Sequence, residues 1–140
     1  MTIQADAMSN PLKPAIIPML YLGHGEGVAA VEFYKAAFGA TEIRRFSNDD
    51  GTVHVSELEI AGSMFRVHEE KPAAGQFSAN TAKGVTTDIS LMVSDPDALM
   101  VRAVAAGATE TSPMQDYDYG YRQGSFTDPF GHHWTVEKVI

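Results

Sequence analysis

With 140 residues, 44% of them hydrophobic, and no cysteine, the chain is sized for one ordinary core, and disulfides, thiolate metal sites and a cysteine nucleophile are excluded. A formal charge of −8 and ten scattered Lys and Arg argue against nucleic-acid and anionic-membrane partners, because binding phosphates needs clustered cations. No basic segment leads into an apolar stretch near the N-terminus and no run reaches a membrane span, so a cytoplasmic protein is expected.

Residues 1–13 are polar and unpatterned and read as a flexible tail. Ile16 to Leu22 is a short apolar strand, with Pro18 best tolerated at an edge or bulge. Gly23-His24-Gly25-Glu26-Gly27 is a loop; its glycine spacing is not the wider one of a dinucleotide-binding turn. Val28 to Phe38 is a helix with an apolar side, stopped by Gly39. Strands follow at Thr41–Phe46, Thr52–Ile60 and Met64–Glu69, the first two joined by the turn Asn48-Asp49-Asp50-Gly51.

Residues 71–84 are rich in Pro, Gly, Ala, Ser and Asn and read as a linker or lid. Thr86–Val93 is then a strand, and Ser94-Asp95-Pro96-Asp97 opens a helix that runs from Ala98 to Ala106 and stops at Gly107. A strand begins at Ala108 and ends at Thr111 or a little beyond. After a Tyr- and Asp-rich loop comes a hairpin, Arg122–Thr127 and His132–Val139, closed by Asp128-Pro129-Phe130-Gly131. The order strand, helix, three strands therefore occurs twice, over residues 14–70 and 85–140. Gly39-Ala40-Thr41-Glu42 and Gly107-Ala108-Thr109-Glu110 mark the same point in each copy.

Two such modules, with Phe33-Tyr34-Lys35-Ala36-Ala37-Phe38-Gly39-Ala40 in the first and Asp128-Pro129-Phe130-Gly131-His132-His133-Trp134 in the second, resemble the vicinal oxygen chelate superfamily of glyoxalases, extradiol dioxygenases, and fosfomycin and bleomycin resistance proteins. The two motifs are similar to those of its PhnB-like branch. The resemblance implies an α+β glyoxalase/bleomycin resistance fold, in which two βαβββ modules curl into an open barrel-like sheet around a cavity. Members of this size are commonly homodimers with cavities built across paired modules.

Metal-using members carry His, Glu or Gln at particular strand positions. Carried over one at a time, those positions fall on Pro18 or Met19, on or near Arg66, on Asp88 and on Thr135, of which only Asp88 suits a hard divalent ion. A displaced set such as His68, Asp88 and Glu137, with His54 and Glu57 as further donors, is the alternative. Strand alternation sets Met64, Arg66 and His68 opposite Phe65 and Val67, and Asp88, Ser90 and Met92 opposite Ile89, Leu91 and Val93. Arg66, His68 and Asp88 read equally as a polar anchor for a ligand and as a buried ion pair or solvated side chains at a barrel mouth. Tyr119 and Tyr121, with Tyr117, suit either a cover over a flat ligand or a dimer contact.

The sequence thus predicts a metal-independent small-molecule binding protein, without cofactor, contacting its ligand through Arg66, His68, Asp88, Thr135, Glu137, Tyr119 and Tyr121. The competing expectation is a metal-dependent lyase, isomerase or dioxygenase of the same superfamily with a displaced metal site.

Overall fold

The computed structural model describes residues 14–140, so the expected tail lies outside the described residues. The first module is β1 (Met19–Leu22), α1 (Gly27–Phe38), β2 (Thr41–Ser47), β3 (Val53–Ile60) and β4 (Ser63–Glu69). A 3-10 turn (Pro72–Ala74) and a short helix α2 (Ala79–Ala82) occupy the connection. The second module is β5 (Asp88–Met92), α3 (Pro96–Ala105), β6 (Thr109–Asp116), β7 (Tyr121–Thr127) and β8 (His133–Val139). Each module forms one four-stranded sheet, in the orders β1-β4-β3-β2 and β5-β8-β7-β6. The first strand of each is parallel to the last, and the other pairs are antiparallel.

Local chemistry sets the boundaries. Gly39 takes a left-handed conformation (φ 67°) in which its N–H bonds to the Lys35 carbonyl, closing α1. Asp95 caps α3, its side chain accepting from the Ala98 N–H at 3.1 Å, with Pro96 in the first turn. β1 begins three residues later than expected. Pro18 has no N–H to give the ladder and contributes only its carbonyl, to the Arg66 N–H at 2.9 Å, while Ile16 is exposed. β6 runs on to Asp116 through Pro113, which an edge strand tolerates where the register shifts between Ser112 and Gln115. The connection is more ordered than a plain linker: Glu70 accepts hydrogen bonds from the Ser78 and Thr81 hydroxyls, and the Ser78 side chain accepts from the Thr81 N–H.

One core serves both modules. Tyr34 and Phe38 of α1 pack against Trp134 of β8, with ring centroids 5.7 and 4.8 Å away, and Phe33 meets Phe130 at 6.2 Å. The Tyr34 hydroxyl, fully buried, donates to Asp128 Oδ2 at 2.5 Å, and Trp134 Nε1 donates to the same oxygen at 2.9 Å. Asp128 Oδ1 accepts from the Phe130 and His132 N–H groups at 2.9 and 3.0 Å. The two sequence motifs are therefore halves of one contact: the helix of the first module supplies a donor to the closing turn of the second. Burial, and next the negative charge of Asp128, push the Tyr34 phenol well above its ordinary pKa.

Candidate functional site

Each sheet has one face against the helices and one without a helix over it. In the first sheet the helix side holds Leu20, Leu22, Leu58, Phe65 and Val67, all buried. Arg66 pairs with Met19 on β1 and Glu57 on β3, and His68 pairs with Tyr21 and Val55, so these residues share the helix-free face. Arg44, opposite Glu57, joins them.

Glu57 is the centre of this face. Its side chain is only 4% exposed, and both oxygens are taken: Arg44 Nε donates to Oε1 at 2.9 Å and Arg66 Nε to Oε2 at 2.8 Å. Burial pushes the Glu57 carboxyl up, but the hydrogen bonds and charges of the two arginines outweigh it and hold it below the usual carboxylate value. Beside this triad the His68 ring meets Tyr21 at 5.6 Å and His54 at 4.8 Å. Strict alternation sets His54 with Ser56 and Leu58, away from His68. The register moves from Phe46↔Val55 to Ser47↔Val53, which leaves His54 as the extra residue of a bulge and brings its ring to His68.

The helix-free face of the second sheet is held together by hydroxyls and carboxylates. Thr135 donates to Asp88 Oδ2 at 2.7 Å and lies 3.4 Å from Ser125 Oγ. Gln123 Nε2 donates to Glu137 at 2.5 Å, and the Tyr119 hydroxyl donates to the Gln123 carbonyl oxygen. Tyr119 is exposed in the β6–β7 turn and stacks on Tyr117 at 5.1 Å, and Tyr121 lies 6.1 Å from Tyr119.

The expected grouping of Arg66, His68 and Asp88 is thus divided between two sheets. Arg66 has Glu57 as its partner, not Asp88. Two concave spaces, of about 470 and 860 Å³, are found among the described residues. The smaller is lined by Met19, Tyr21, Gln76, Phe77, His132 and His133, the larger by residues 14–18 with parts of β4 and β5, and neither is lined by any of the predicted contact residues.

The glycine loop before α1 has an internal partner. Glu69, buried on β4, accepts from the Gly25 N–H at 3.0 Å and the Gly27 N–H at 3.4 Å, placing a carboxylate at the helix start. Gly27 lets the backbone close on that side chain, since a Cβ there would lie 3.1 Å from Glu69 Oε2.

The profile of a glyoxalase-like domain matches residues 24–137. The chain belongs to the glyoxalase-like domain family. An uncharacterised protein of Mycobacterium tuberculosis, Rv0887c, is 35% identical over 140 residues, covering 98% of this chain and 81% of its own. The X-ray structure of the Arabidopsis thaliana gene product At5g48480 superposes with a TM-score of 0.71 at 33% identity, covering 89% of this chain and 98% of that one. A glyoxalase/bleomycin resistance protein/dioxygenase family enzyme from Burkholderia phytofirmans shares the fold, with a TM-score of 0.68 at 20% identity over 90% of this chain and 100% of that one.

A glyoxalase-like protein raises the question of a divalent metal, and the donors here do not fit one. Of the positions carried over from the superfamily, Met19 stands opposite Arg66, whose guanidinium is bound to Glu57. Asp88 and Thr135 are hydrogen-bonded to each other. Among the described residues no three His, Asp or Glu side chains are gathered as a metal would need. The displaced set fails on register. Asp88 pairs with His133, and Glu137 lies four residues further along β8, about 13 Å at strand rise.

Sequence reasoning missed Arg44 and gave Glu57 only a minor place. The turn at Asn48-Asp49-Asp50-Gly51 signals a hairpin, but the bulges that set Arg44 opposite Glu57 leave no mark in the sequence.

Proposed function

We propose that this glyoxalase-like protein is a metal-independent small-molecule binding protein, acting as a homodimer in which the helix-free face of one module meets that of the other module in a second copy. The observation that carries this reading is the side-chain chemistry at the superfamily's metal positions. An arginine locked to a carboxylate and an aspartate locked to a threonine are arranged to contact polar groups, not to chelate an ion.

The dimer is supported by what the faces expose and by their charge. Phe46 and Met92 stand 48% and 57% exposed on them. The first face carries Arg44 and Arg66 balanced by Glu57 and Glu59, and the second carries Asp88 and Glu137 with no Lys or Arg beside them among the described residues. Enclosure between the two faces would bring Arg66, His68, Asp88, Thr135 and Glu137 to one ligand, with Tyr119 and Tyr121 at the rim. The Asp128 to Trp134 turn supports placing the chain in the PhnB-like branch. The absence of cysteine suits a cytoplasmic location, which belongs to the same proposal. No helix among the described residues is long and apolar enough to cross a membrane.

Elemental analysis of the dialysed protein, repeated after loading with Mn²⁺, Fe²⁺, Ni²⁺ and Zn²⁺, tests the reading. It expects no stoichiometric ion under any loading. About one ion per chain, lost in Asp88→Ala, overturns it in favour of a metal-dependent enzyme. Sedimentation of the same sample tests the dimer.

A further inference from the structure

We infer that Arg44 and Arg66, held in place by the buried Glu57 carboxylate, form a receptor for the carboxylate of a planar aromatic acid. This rests on the ligand-binding reading above and names the class of ligand.

The first support is charge. Two guanidinium groups share one carboxylate, leaving an excess positive charge at this point of the sheet in a chain whose net charge is −8. Glu59 is on the same face, about 7 Å along β3 at strand rise, and opposite Met64. The second support is geometry. Both arginines meet Glu57 through Nε, and among the described residues their Nη atoms make no hydrogen bond. The Nη edge of a guanidinium is a planar two-donor fork that matches a carboxylate, which a compact ammonium cannot imitate. Arg44 is further fixed by Phe46, whose ring centroid lies 5.5 Å from its guanidinium carbon.

The third support is what lies beside the cations. His68 is two residues from Arg66 on the same face, about 7 Å away at strand rise. With Tyr21 and His54 it forms an edge-to-face group of rings. A ring seated against them directs its carboxylate toward the arginine forks. Glu57 does not touch the ligand. It holds both arginines by their Nε atoms and leaves their Nη atoms to the ligand.

The test is titration of the full-length, chelator-treated protein with benzoate, benzamide and inorganic phosphate, followed by NMR of the arginine Nε–H and histidine ring signals. Benzoate is expected to shift Arg44, Arg66, His54 and His68 together and saturably. Benzamide, its neutral counterpart, is expected to bind at least about tenfold more weakly, and phosphate to leave the histidines unmoved. Arg66→Met should weaken benzoate roughly tenfold or more, and Arg66→Lys should recover only part of that loss. Arg44→Met changes a largely exposed side chain, so it keeps the test open if Arg66→Met does not fold.

Equal affinity for benzoate and benzamide overturns the inference, as does unchanged benzoate binding in Arg44→Met and Arg66→Met. Uncharged aromatics that bind without any preference for the acid would do so while leaving the binding-protein reading intact. Benzoate binding in chelator that is lost in Arg66→Met upholds the receptor even if elemental analysis separately finds a metal.

Discussion

Replacing Tyr34 by phenylalanine removes one buried oxygen and leaves the ring among Phe38, Phe65 and Trp134 in place. What is lost is a 2.5 Å hydrogen bond to a carboxylate, and such bonds to charged acceptors contribute about 1.5–3 kcal/mol. Asp128 keeps three donors, the Trp134 indole and the Phe130 and His132 amides, so its charge is not stranded. The expected loss is therefore about 2 kcal/mol, with Tm lower by roughly 6–10 °C for a chain of this size. Urea unfolding followed by the fluorescence of Trp134, the single tryptophan, reads this directly. Asp128→Asn should cost more, about 3 kcal/mol, because an amide NH₂ then faces groups that also donate. A double-mutant cycle should show the two substitutions strongly coupled. A loss below about 0.5 kcal/mol for Tyr34→Phe, with an unchanged m-value, would refute the idea that this bond joins the modules.

Gly27→Ala places a Cβ on top of the Val53 Cβ, which cannot swing away. It should destabilise the fold by about 2–3 kcal/mol in a thermal melt, whereas Gly51→Ala meets no neighbouring atom and is affected only by its positive φ. Glu57 and Glu42 are both held below the ordinary carboxylate value of 4.5, burial in each case being outweighed by arginine contacts, with a Ser56 hydrogen bond adding to the effect at Glu42. Their stabilisation is complete above that value and is lost as pH falls through the lower folded-state values, so stability should drop steeply below pH 4.5 and less steeply in Glu57→Gln. Tyr34 has the opposite sign. Its contribution is complete below the ordinary value of 10.0 and is lost as pH rises above it, a limb that Tyr34→Phe should remove from an alkaline unfolding series.

The repeated order of elements was legible because punctuation and period agreed. Gly39 ends α1 where the periodic apolar side ends, and Asp95-Pro96 opens α3. Alternation also assigned the faces of β4 correctly, with Phe65 and Val67 buried and Arg66 and His68 opposite. It could not assign partners. A period of two says which side of a sheet a residue occupies, not which sheet it looks toward, so Arg66 was grouped with Asp88 when its neighbour across the ladder is Glu57. His54 escaped for a different reason: one bulged residue reverses the parity on which the reading depends. β6 extends to Asp116 because it lies at the sheet edge, where Pro113 is tolerated, and edge position is not written in the sequence.

The junction at Asp128 has a consequence for how such a chain can change over time. The apolar contacts that join the two modules, and the Tyr34–Asp128 bond, lie on the helix side of both sheets. Substitutions at positions such as 44, 66, 88 or 135 lie away from the shared layer of rings and its four-donor carboxylate and should leave both undisturbed. The two copies have lost the freedom to separate, since each lacks a piece the other supplies, but their outer surfaces have kept the freedom to diverge.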